Sequence, residues 1–198
     1  MSCRVVVLAS GAGSLFEALL NARDESFDVL ALVTDNPHAG AIAVARRNGV
    51  DVRVVAPGDF ADRLEWDQAL TAAIGEFKPT LVVSAGFMRI LGDDTLRTWP
   101  EQIINTHPAL LPAFPGAHAV RDALAAGARE TGCSVHVVDG GVDTGPVIEQ
   151  VRVPILAEDN EASLHERIKV VERQILVDVV RRIAKHGLAV HDRKVQLP

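Results

Sequence analysis

Short runs of valine and leucine alternate with helix-like stretches along the first half of the chain, and this alternation most constrains the fold. The runs occupy residues 4–9 (RVVVLA), 28–34 (DVLALVT), 51–56 (DVRVVA) and 80–84 (TLVVS). Such runs are typical of strands that a parallel sheet buries on both faces. The helix-like stretches between them cover Leu15–Arg23, Ala41–Asn48 and Phe60–Phe77. The sequence therefore predicts a doubly wound α/β fold with right-handed crossovers, in which Asp59 caps the third helix and Asn48-Gly49 ends the second.

The second half of the chain predicts three further strands and two helices. The expected strands cover 102–106, 133–138 and Val147–Val153, and the expected helices cover Ala119–Ala126 and about Ala162–His186. A loop rich in glycine and aspartate joins the last two strands, and a connection without a helix favours an antiparallel pair. We therefore expect a mostly parallel sheet of about seven strands, with the antiparallel pair in the C-terminal half. Residues 191–198 are expected to form a short edge strand or a tail.

Length and composition indicate one domain that covers residues 1–198. A chain of 198 residues buries roughly 70% of the surface that its unfolded form exposes. A core of this size is stable without disulfide bonds or bound metal ions. The net charge of −6 argues against general binding to nucleic acid or to an anionic membrane. The chain has 2 cysteines, no secretory cleavage pattern, and no apolar run near the ~20 residues of a membrane span. These features predict a cytoplasmic enzyme.

A glycine-containing turn, SGAGS at 10–14, follows the first predicted strand and opens the first predicted helix. Glycines let the backbone approach a ligand closely, and the free N–H groups of a helix start attract an anion such as phosphate. The dinucleotide fingerprint needs a third glycine where this chain has Phe16, although Asp35 after the second strand could bind a ribose. A single phosphate is the preferred ligand. A nicotinamide-dependent oxidoreductase and a turn that binds nothing remain the alternatives.

Two polar residues end the fifth predicted strand. Asn105 and His107 are two residues apart, so their side chains point to the same side of the strand. Ligands of open α/β sheets bind beyond the carboxyl ends of the strands. Both side chains can donate hydrogen bonds to a carbonyl oxygen on which negative charge develops. The pair indicates acyl-type chemistry, and an ordinary hydrogen-bonded histidine is the alternative interpretation.

An acidic, glycine-rich loop at 139–146 carries Asp139 and Asp143. Acids in such loops usually make turns, but a carboxylate that reached His107 would favour its charged form and could hold a water for proton relay. His107, His118 and His136 lack the spacing of a zinc site, so no metal is expected. A GxSxG elbow is absent, and neither cysteine has an obvious nucleophile context.

Together these motifs resemble the folate-dependent formyltransferases, in particular those that act on glycinamide ribonucleotide. The matching segments are SGAGS at 10–14, AGFMRIL at 85–91, INTHPALLPAFPGAH at 104–118, GCSVHVVDGGVDTGPV at 132–147 and the helix around Val171-Glu172. They span essentially the whole chain in order. The NTHPALLP block with the DTGP loop is specific for folate formyl transfer, and the SGAGS loop narrows the choice of acceptor.

The resemblance implies a role for each matched position. It implies that Asn105, His107 and Asp143 form a catalytic trio. It implies that the acceptor, by its phosphate and ribose, is bound by Gly11, Ala12, Gly13, Ser14, Leu15 and Glu172. It implies that the folate is held by Arg63, Met88, Arg89, Ile90, Leu91, Val138, Asp139, Gly140, Gly141 and Val142. Leu15 departs from the asparagine of the family pattern, so the phosphate must depend on backbone N–H groups and Ser14.

The reaction implied by the resemblance is direct transfer of the formyl group of 10-formyltetrahydrofolate, a co-substrate, to the amine of glycinamide ribonucleotide. The products would be N-formylglycinamide ribonucleotide, an intermediate of de novo purine synthesis, and tetrahydrofolate. His107 and Asn105 would stabilise the oxyanion, while Asp143 tunes His107 and assists proton transfer. Residues 1–100 would form a Rossmann-like phosphate-binding half, and residues 101–198 a catalytic and folate-binding half. The expected partners are these two small molecules alone, bound by a monomer or a homodimer.

Related chemistries provide the alternatives. Formyltetrahydrofolate deformylase shares the trio and hydrolyses the folate, but usually carries an additional N-terminal regulatory domain, whereas the first strand here begins at about Arg4. Methionyl-tRNA formyltransferase resembles a longer chain with an RNA-binding domain. A nucleotide-binding module without catalysis is the remaining alternative, and the Asn/His/Asp set argues against it.

Overall fold

A central sheet of seven strands organises the computed structural model, which describes residues 2–197. The strands are β1 (Cys3–Leu8), β2 (Phe27–Thr34), β3 (Asp51–Val54), β4 (Leu81–Ser84), β5 (Ile103–His107), β6 (Glu130–Val137) and β7 (Val147–Pro154). Their order is β3-β2-β1-β4-β5-β6-β7, and β6 alone runs antiparallel to its neighbours. The predicted fold class, with its antiparallel pair, is confirmed.

Six α-helices connect and cover the strands within residues 2–197: α1 (Ser14–Asn21), α2 (Gly40–Arg47), α3 (Arg63–Gly75), α4 (Asp93–Thr98), α5 (Ala119–Ala125) and α6 (Glu161–His186). The sequence did not predict the short α4. The expected cap Asp59 is wrong, because it ends a separate 3-10 turn and Asp62 accepts the hydrogen bond from the N–H of Glu65 at the start of α3. In this part of the chain no helix combines the length and apolar character needed to cross a membrane.

The sheet buries both of its faces, as the unbroken valine runs predict. Val5 and Val7 pack in a core cluster under α1, α2, α5 and α6, whereas Val6 and Leu8 pack in a second cluster under α3. The order of the strands reverses between β1 and β4. In open α/β sheets such a switch point is where ligands bind, beyond the carboxyl ends of the strands.

The end of the chain forms a separate antiparallel hairpin of β8 (Ala189–His191) and β9 (Lys194–Gln196). Its turn residues Asp192 and Arg193 have φ values of 49° and 59°. The two short strands therefore pair with each other and do not extend the edge of the main sheet.

Candidate active site

Asn105 and His107 project from one face of β5, the face on which Ile103 packs under α3. In the antiparallel register, Asn105 lies opposite His136 of β6 and His107 lies opposite Ser134. Directly opposed residues of an antiparallel pair share a face of the sheet. His136 is thus a third polar side chain beside the two predicted ones, and the sequence analysis assigned it no role beyond an unsupported zinc ligand.

The connection between β6 and β7 folds back over this face and brings Asp143 to the centre of the cluster. One carboxylate oxygen, Oδ2, lies 3.3 Å from His107 Nδ1 and accepts a hydrogen bond from the N–H of Gly116 at 2.8 Å. The other, Oδ1, lies 3.4 Å from His136 Nε2 and 3.5 Å from Asn105 Nδ2. The structure therefore brings together the three residues predicted as a catalytic trio, and adds His136 to them.

The surroundings of Asp143 keep its carboxylate charged. The hydrogen bond from His136 lowers the pKa of Asp143 to about 2; burial opposes this shift, and the Gly116 N–H and the charges of both histidines reinforce it. A carboxyl group with such a pKa is ionised at neutral pH. A fixed negative charge therefore lies between the two imidazole rings.

His107 is almost fully buried, and both of its ring nitrogens face acceptors. Its Nε2 lies 2.7 Å from the carbonyl oxygen of Phe114, and its Nδ1 faces the Asp143 carboxylate. Carbonyl and carboxylate oxygens can only accept hydrogen bonds, so both contacts are satisfied when both nitrogens carry protons. His107 is therefore held between two hydrogen-bond acceptors.

His136 and Asn105 fix each other's orientation. His136 Nδ1 lies 2.9 Å from the carbonyl oxygen of Val137, which requires a proton on that nitrogen. Only in the charged ring does Nε2 carry a proton that it can donate to Asp143 Oδ1. In the neutral ring the same nitrogen is instead an acceptor for the Asn105 amide nitrogen, which lies 3.1 Å away. The amide nitrogen of Asn105 is therefore directed towards His136 and Asp143.

The turn at 10–14 leaves donors free at the start of α1. Gly13, at the N-cap, has a φ of 83°, and a Cβ atom there would lie 2.7 Å from Ala41 Cα, so only glycine fits. The first helical bond joins the N–H of Glu17 to the carbonyl of Gly13. The N–H groups of Ser14, Leu15 and Phe16 therefore have no acceptor within the helix, and no side chain caps them. The Leu15 side chain is buried in the core, so this residue can meet a ligand only through its backbone.

This turn lies close to the polar cluster. Leu8, Ser84 and Asn105 are level in the registers of β1, β4 and β5. Neighbouring strands are ~4.8 Å apart, so the end of β1 lies about 10 Å from Asn105. Gly11 and Ala12, which follow the end of β1, are exposed.

Glu172 lies on the opposite face of β5 from Asn105 and His107. It is 6% exposed in α6, and burial raises its pKa above the ordinary value. The Thr106 hydroxyl is buried and has no hydrogen-bond partner among residues 2–197. The structure thus does not join Glu172 to the trio, but it places an acid and an unpartnered hydroxyl together beside the end of β5.

The segment after β4 exposes large apolar side chains. Met88 is 71% exposed and Ile90 is 59% exposed, whereas Leu91 is buried. Arg63 donates to the carbonyl of Ile90, and its guanidinium lies 4.7 Å from the centre of the Trp66 ring. Exposed apolar groups held on an ordered segment suit the binding of a flat, apolar ligand.

Arg89 pairs with Asp35 at the end of β2. Its Nε lies 2.8 Å from Asp35 Oδ2, and the Asp35 side chain is 5% exposed. The ion pair takes one carboxylate oxygen and the other, Oδ1, is buried, so neither is accessible to the ribose of a nicotinamide dinucleotide. Asp35 is therefore not available to bind the ribose of a nicotinamide dinucleotide, as the oxidoreductase alternative requires.

The predicted folate loop at 138–142 is held largely by its own contacts. The N–H of Val138 donates to the carbonyl of Ile103, while Gly140, Gly141 and Val142 are exposed. Asp139 Oδ1 accepts hydrogen bonds from the Thr144 hydroxyl at 2.6 Å and the Gly141 N–H at 3.1 Å. Burial raises the pKa of Asp139, but these two hydrogen bonds and Arg193 together lower it by more. The pKa of Asp139 is therefore below its ordinary value.

Metal ligands do not cluster anywhere in the described range. Among residues 2–197, no group of three or more histidine, cysteine, aspartate or glutamate side chains could hold a metal ion. The polar cluster offers hydrogen-bond donors around one partly buried carboxylate, which suits the stabilisation of negative charge on a reacting carbonyl.

Comparisons with known proteins identify relatives of this chain. Residues 3–180 match the family model described as formyl transferase. Phosphoribosylglycinamide formyltransferase of Mycobacterium tuberculosis is 50% identical over 192 residues, which cover 96% of this chain and 89% of that protein. The crystal structure of glycinamide ribonucleotide transformylase 1 from Symbiobacterium toebii superposes with a TM-score of 0.95 at 37% identity, covering 98% of this chain and 93% of that one.

A longer relative matches over the same region. The trifunctional purine biosynthetic protein adenosine-3 of Homo sapiens is 36% identical over 184 residues, which are 91% of this chain and 18% of that protein. The family match covers most of the chain, and the identity to the mycobacterial protein extends over nearly its whole length. The chain belongs to the formyl transferase family of enzymes.

Proposed function

We propose that this enzyme transfers the formyl group of 10-formyltetrahydrofolate to the amine of glycinamide ribonucleotide, the acceptor that the names of its relatives specify. The observation that carries the proposal is the convergence of His107, His136 and Asn105 on the carboxylate of Asp143. In a formyl transferase, such a cluster can stabilise the oxyanion formed when a nucleophile adds to the formyl carbon.

The proposed reaction is a direct acyl-type transfer. The neutral amine of the acceptor attacks the formyl carbon, and a tetrahedral intermediate with a negative oxygen forms. The bond from that carbon to the folate nitrogen then breaks, and a proton from the attacking amine replaces it on that nitrogen. No covalent bond to the enzyme is needed, and no net proton is gained or lost.

His107 and Asn105 stabilise the oxyanion in this proposal. The N–H at His107 Nε2 donates to the Phe114 carbonyl, and it exchanges that neutral acceptor for the negative oxygen as the oxyanion forms. The exchange is favourable because a hydrogen bond between a charged donor and a charged acceptor is about twice as strong as a neutral one. Asn105 shifts one amide hydrogen from its 3.5 Å contact with Asp143 to the same oxygen.

Asp143 has two functions. Its negative charge stabilises the imidazolium of His107 at an Nδ1 to Oδ2 distance of 3.3 Å. Its carboxylate can also hold a water molecule that carries the proton from the attacking amine to the folate nitrogen. Because the pKa of Asp143 is about 2, this carboxylate relays the proton through water and does not retain it at neutral pH.

The acceptor binds at two further places. Its phosphate lies at the start of α1, where three backbone N–H groups and the dipole of the helix attract an anion. Its ribose hydroxyls bind Glu172, and one of them supplies the hydrogen-bond partner that the Thr106 hydroxyl lacks among the described residues. The acceptor then crosses the carboxyl ends of β1, β4 and β5, with its amine towards His107.

The folate binds on the side of the sheet that α3 covers. The exposed side chains of Met88, Ile90 and Val142 contact its flat ring system. Arg63 uses one guanidinium nitrogen on the Ile90 carbonyl, and its remaining N–H groups can bind a carboxylate of the folate tail. Arg89 holds this segment through Asp35, and the loop at 138–142 closes the other side.

An assay of acceptor dependence tests the proposal. The enzyme is mixed with 10-formyltetrahydrofolate alone, and glycinamide ribonucleotide is added afterwards while tetrahydrofolate is measured. We expect tetrahydrofolate to form only after the acceptor arrives. Rapid release of formate without the acceptor would assign the site to a deformylase instead, and binding of a nicotinamide dinucleotide with hydride transfer would restore the oxidoreductase alternative.

A further inference from the structure

The C-terminal hairpin lies beyond the matched family region yet reaches the loop that carries Asp143. The family match ends at residue 180, whereas β8 and β9 lie within 189–196. Asp192 and Arg193 form the two-residue turn, and both adopt the left-handed conformation that such hairpin turns require. The tip of the hairpin therefore has a defined position.

Arg193 makes two contacts from this tip. Its Nη2 donates to the carbonyl of Thr144 and lies 3.3 Å from Asp139 Oδ2. Thr144 directly follows Asp143, and Asp139 begins the same loop, so one guanidinium contacts both ends of the segment 139–144. No pairing with the main sheet is involved, because β8 and β9 form their own two-stranded sheet.

The loop needs restraint because its own sequence leaves it many conformations. Gly140 and Gly141 are exposed, and Asp143 has a φ of 53°, which costs a non-glycine residue energy. From outside the loop, the Gly116 N–H holds the Asp143 carboxylate itself. Arg193 holds the backbone on which that carboxylate is carried.

We propose that Arg193 is a positioning residue for the Asp143 loop: it holds segment 139–144 so that the carboxylate stays within reach of His107 and His136. Arg193 touches neither the carboxylate nor the imidazoles, so it acts through the loop and is not itself catalytic. Only the activity readout depends on the proposed formyl transfer, since the order of the loop can be measured without any substrate.

The test compares Arg193→Asn with Lys194→Ala. Asparagine tolerates the left-handed conformation, so the first variant keeps the turn and removes the guanidinium. Lys194 is exposed in the same hairpin and forms no ion pair with any of residues 2–197, which makes it the matched control. Both variants are made in the full chain, and their melting temperatures are measured first.

Amide hydrogen exchange of segment 139–144 is the first readout. Arg193 makes one exposed ion pair and one exposed hydrogen bond, which are weak interactions, so we expect about three- to tenfold faster exchange in Arg193→Asn. Lys194→Ala should match the wild type. Equal exchange in Arg193→Asn and the wild type would overturn the proposal.

Kinetics and a double variant form the second readout. In Arg193→Asn we expect kcat/KM for the formyl folate to fall about three- to tenfold at an unchanged melting temperature. The effect should shrink when Asp139→Asn is already present, because both changes release the same loop. Unchanged turnover despite faster exchange, or fully additive effects, would overturn the positioning role. A wild-type enzyme without formyl transfer would instead contradict the proposed function and leave the exchange result standing.

Discussion

Asp143 interacts with four groups, and each makes a different contribution. Gly116 fixes the position of its carboxylate, and His107 Nδ1 lies 3.3 Å from the same carboxylate oxygen. The charged form of the His136 ring lowers the pKa of Asp143 most, whereas its neutral form directs the Asn105 amide. In the proposed mechanism the two histidines act through one carboxylate, and the role of each can be tested separately.

The first prediction concerns the predicted trio. His107→Ala and Asp143→Ala should each lower kcat by about two to four orders of magnitude, because general acid–base and oxyanion contributions have that size. Steady-state kinetics of formyl transfer measures the effect, with circular dichroism to show that the variants are folded. His186→Ala, at the exposed end of α6, is the control and should retain activity. Near-normal turnover in both variants would contradict the catalytic roles proposed for His107 and Asp143.

The second prediction concerns His136, which acts through Asn105. His136→Leu removes the acceptor for the Asn105 amide and should lower kcat about 5- to 100-fold, the cost of a lost buried hydrogen bond. His136→Gln offers an amide oxygen as a substitute acceptor and should recover most of the activity. KM for the acceptor should change little in either variant. Equal losses in the two variants would mean that the ring does not act by orienting the amide.

Part of this cluster is predictable from the sequence, and the rest is not, for a physical reason. Asn105 and His107 could be predicted because their spacing in one strand fixes their common side. His136 lies on another strand, and its place opposite Asn105 depends on an antiparallel register that the sequence does not specify. The Phe114 carbonyl, which His107 contacts, is a backbone group with no signal in the sequence.

At the scale of elements, the strands were easier to predict than the helix starts. Valine runs marked the buried strands because burial on both faces admits little else. Helix α4 could not be predicted from the sequence, because its six residues include several polar ones and lack a helical apolar pattern. Asp59 and Asp62 are both plausible caps, and only the side-chain hydrogen bond of Asp62 identifies the real start of α3.

The third prediction concerns the turn between β1 and α1. Gly13→Ala places a Cβ atom 2.7 Å from Ala41 Cα at a φ of 83°, so the turn must distort. We expect the melting temperature to fall by about 5–10 °C and KM for the acceptor to rise at least about tenfold. At Gly11 a Cβ atom would meet nothing within 4 Å, so Gly11→Ala should keep the wild-type melting temperature. Unaltered acceptor binding in folded Gly13→Ala would contradict the phosphate-binding role.

At the scale of the whole molecule, the two faces of the sheet contain different parts of the proposed site. The trio and the exposed apolar segment after β4 lie on the side of α3, whereas Glu172 is carried by α6 on the other side of the sheet. Burying an acid in this way opposes folding, because burial disfavours its charged form. A substrate-binding role would explain why the core contains such a residue.

The fourth prediction follows from the raised pKa of Glu172. A raised folded-state pKa stabilises the fold fully below the unfolded pKa, and this stabilisation is lost as the pH rises through the folded value. Above that value the buried charge opposes folding, and Glu172→Gln removes it. We expect Glu172→Gln to melt about 3–6 °C above the wild type at pH 8, with the difference shrinking near pH 4, while KM for the acceptor rises.

Differential scanning calorimetry across this pH range measures the effect. Glu166→Gln, an exposed acid in the same helix that pairs with Lys169, should shift the melting temperature little at any pH. A Glu172→Gln variant that melts at or below the wild-type temperature at pH 8 would show that the acid is compensated in the fold and does not oppose it.

The most direct measurement follows the formyl carbon itself. Enzyme in stoichiometric amount is mixed with 10-formyltetrahydrofolate labelled at that carbon and with glycinamide ribonucleotide, and carbon NMR records every labelled species. Direct transfer at the Asp143 cluster predicts that all label moves from the folate to the amide of N-formylglycinamide ribonucleotide, with none bound covalently to the protein and none released as formate. Label in free formate, or on a side chain of the enzyme, would contradict it.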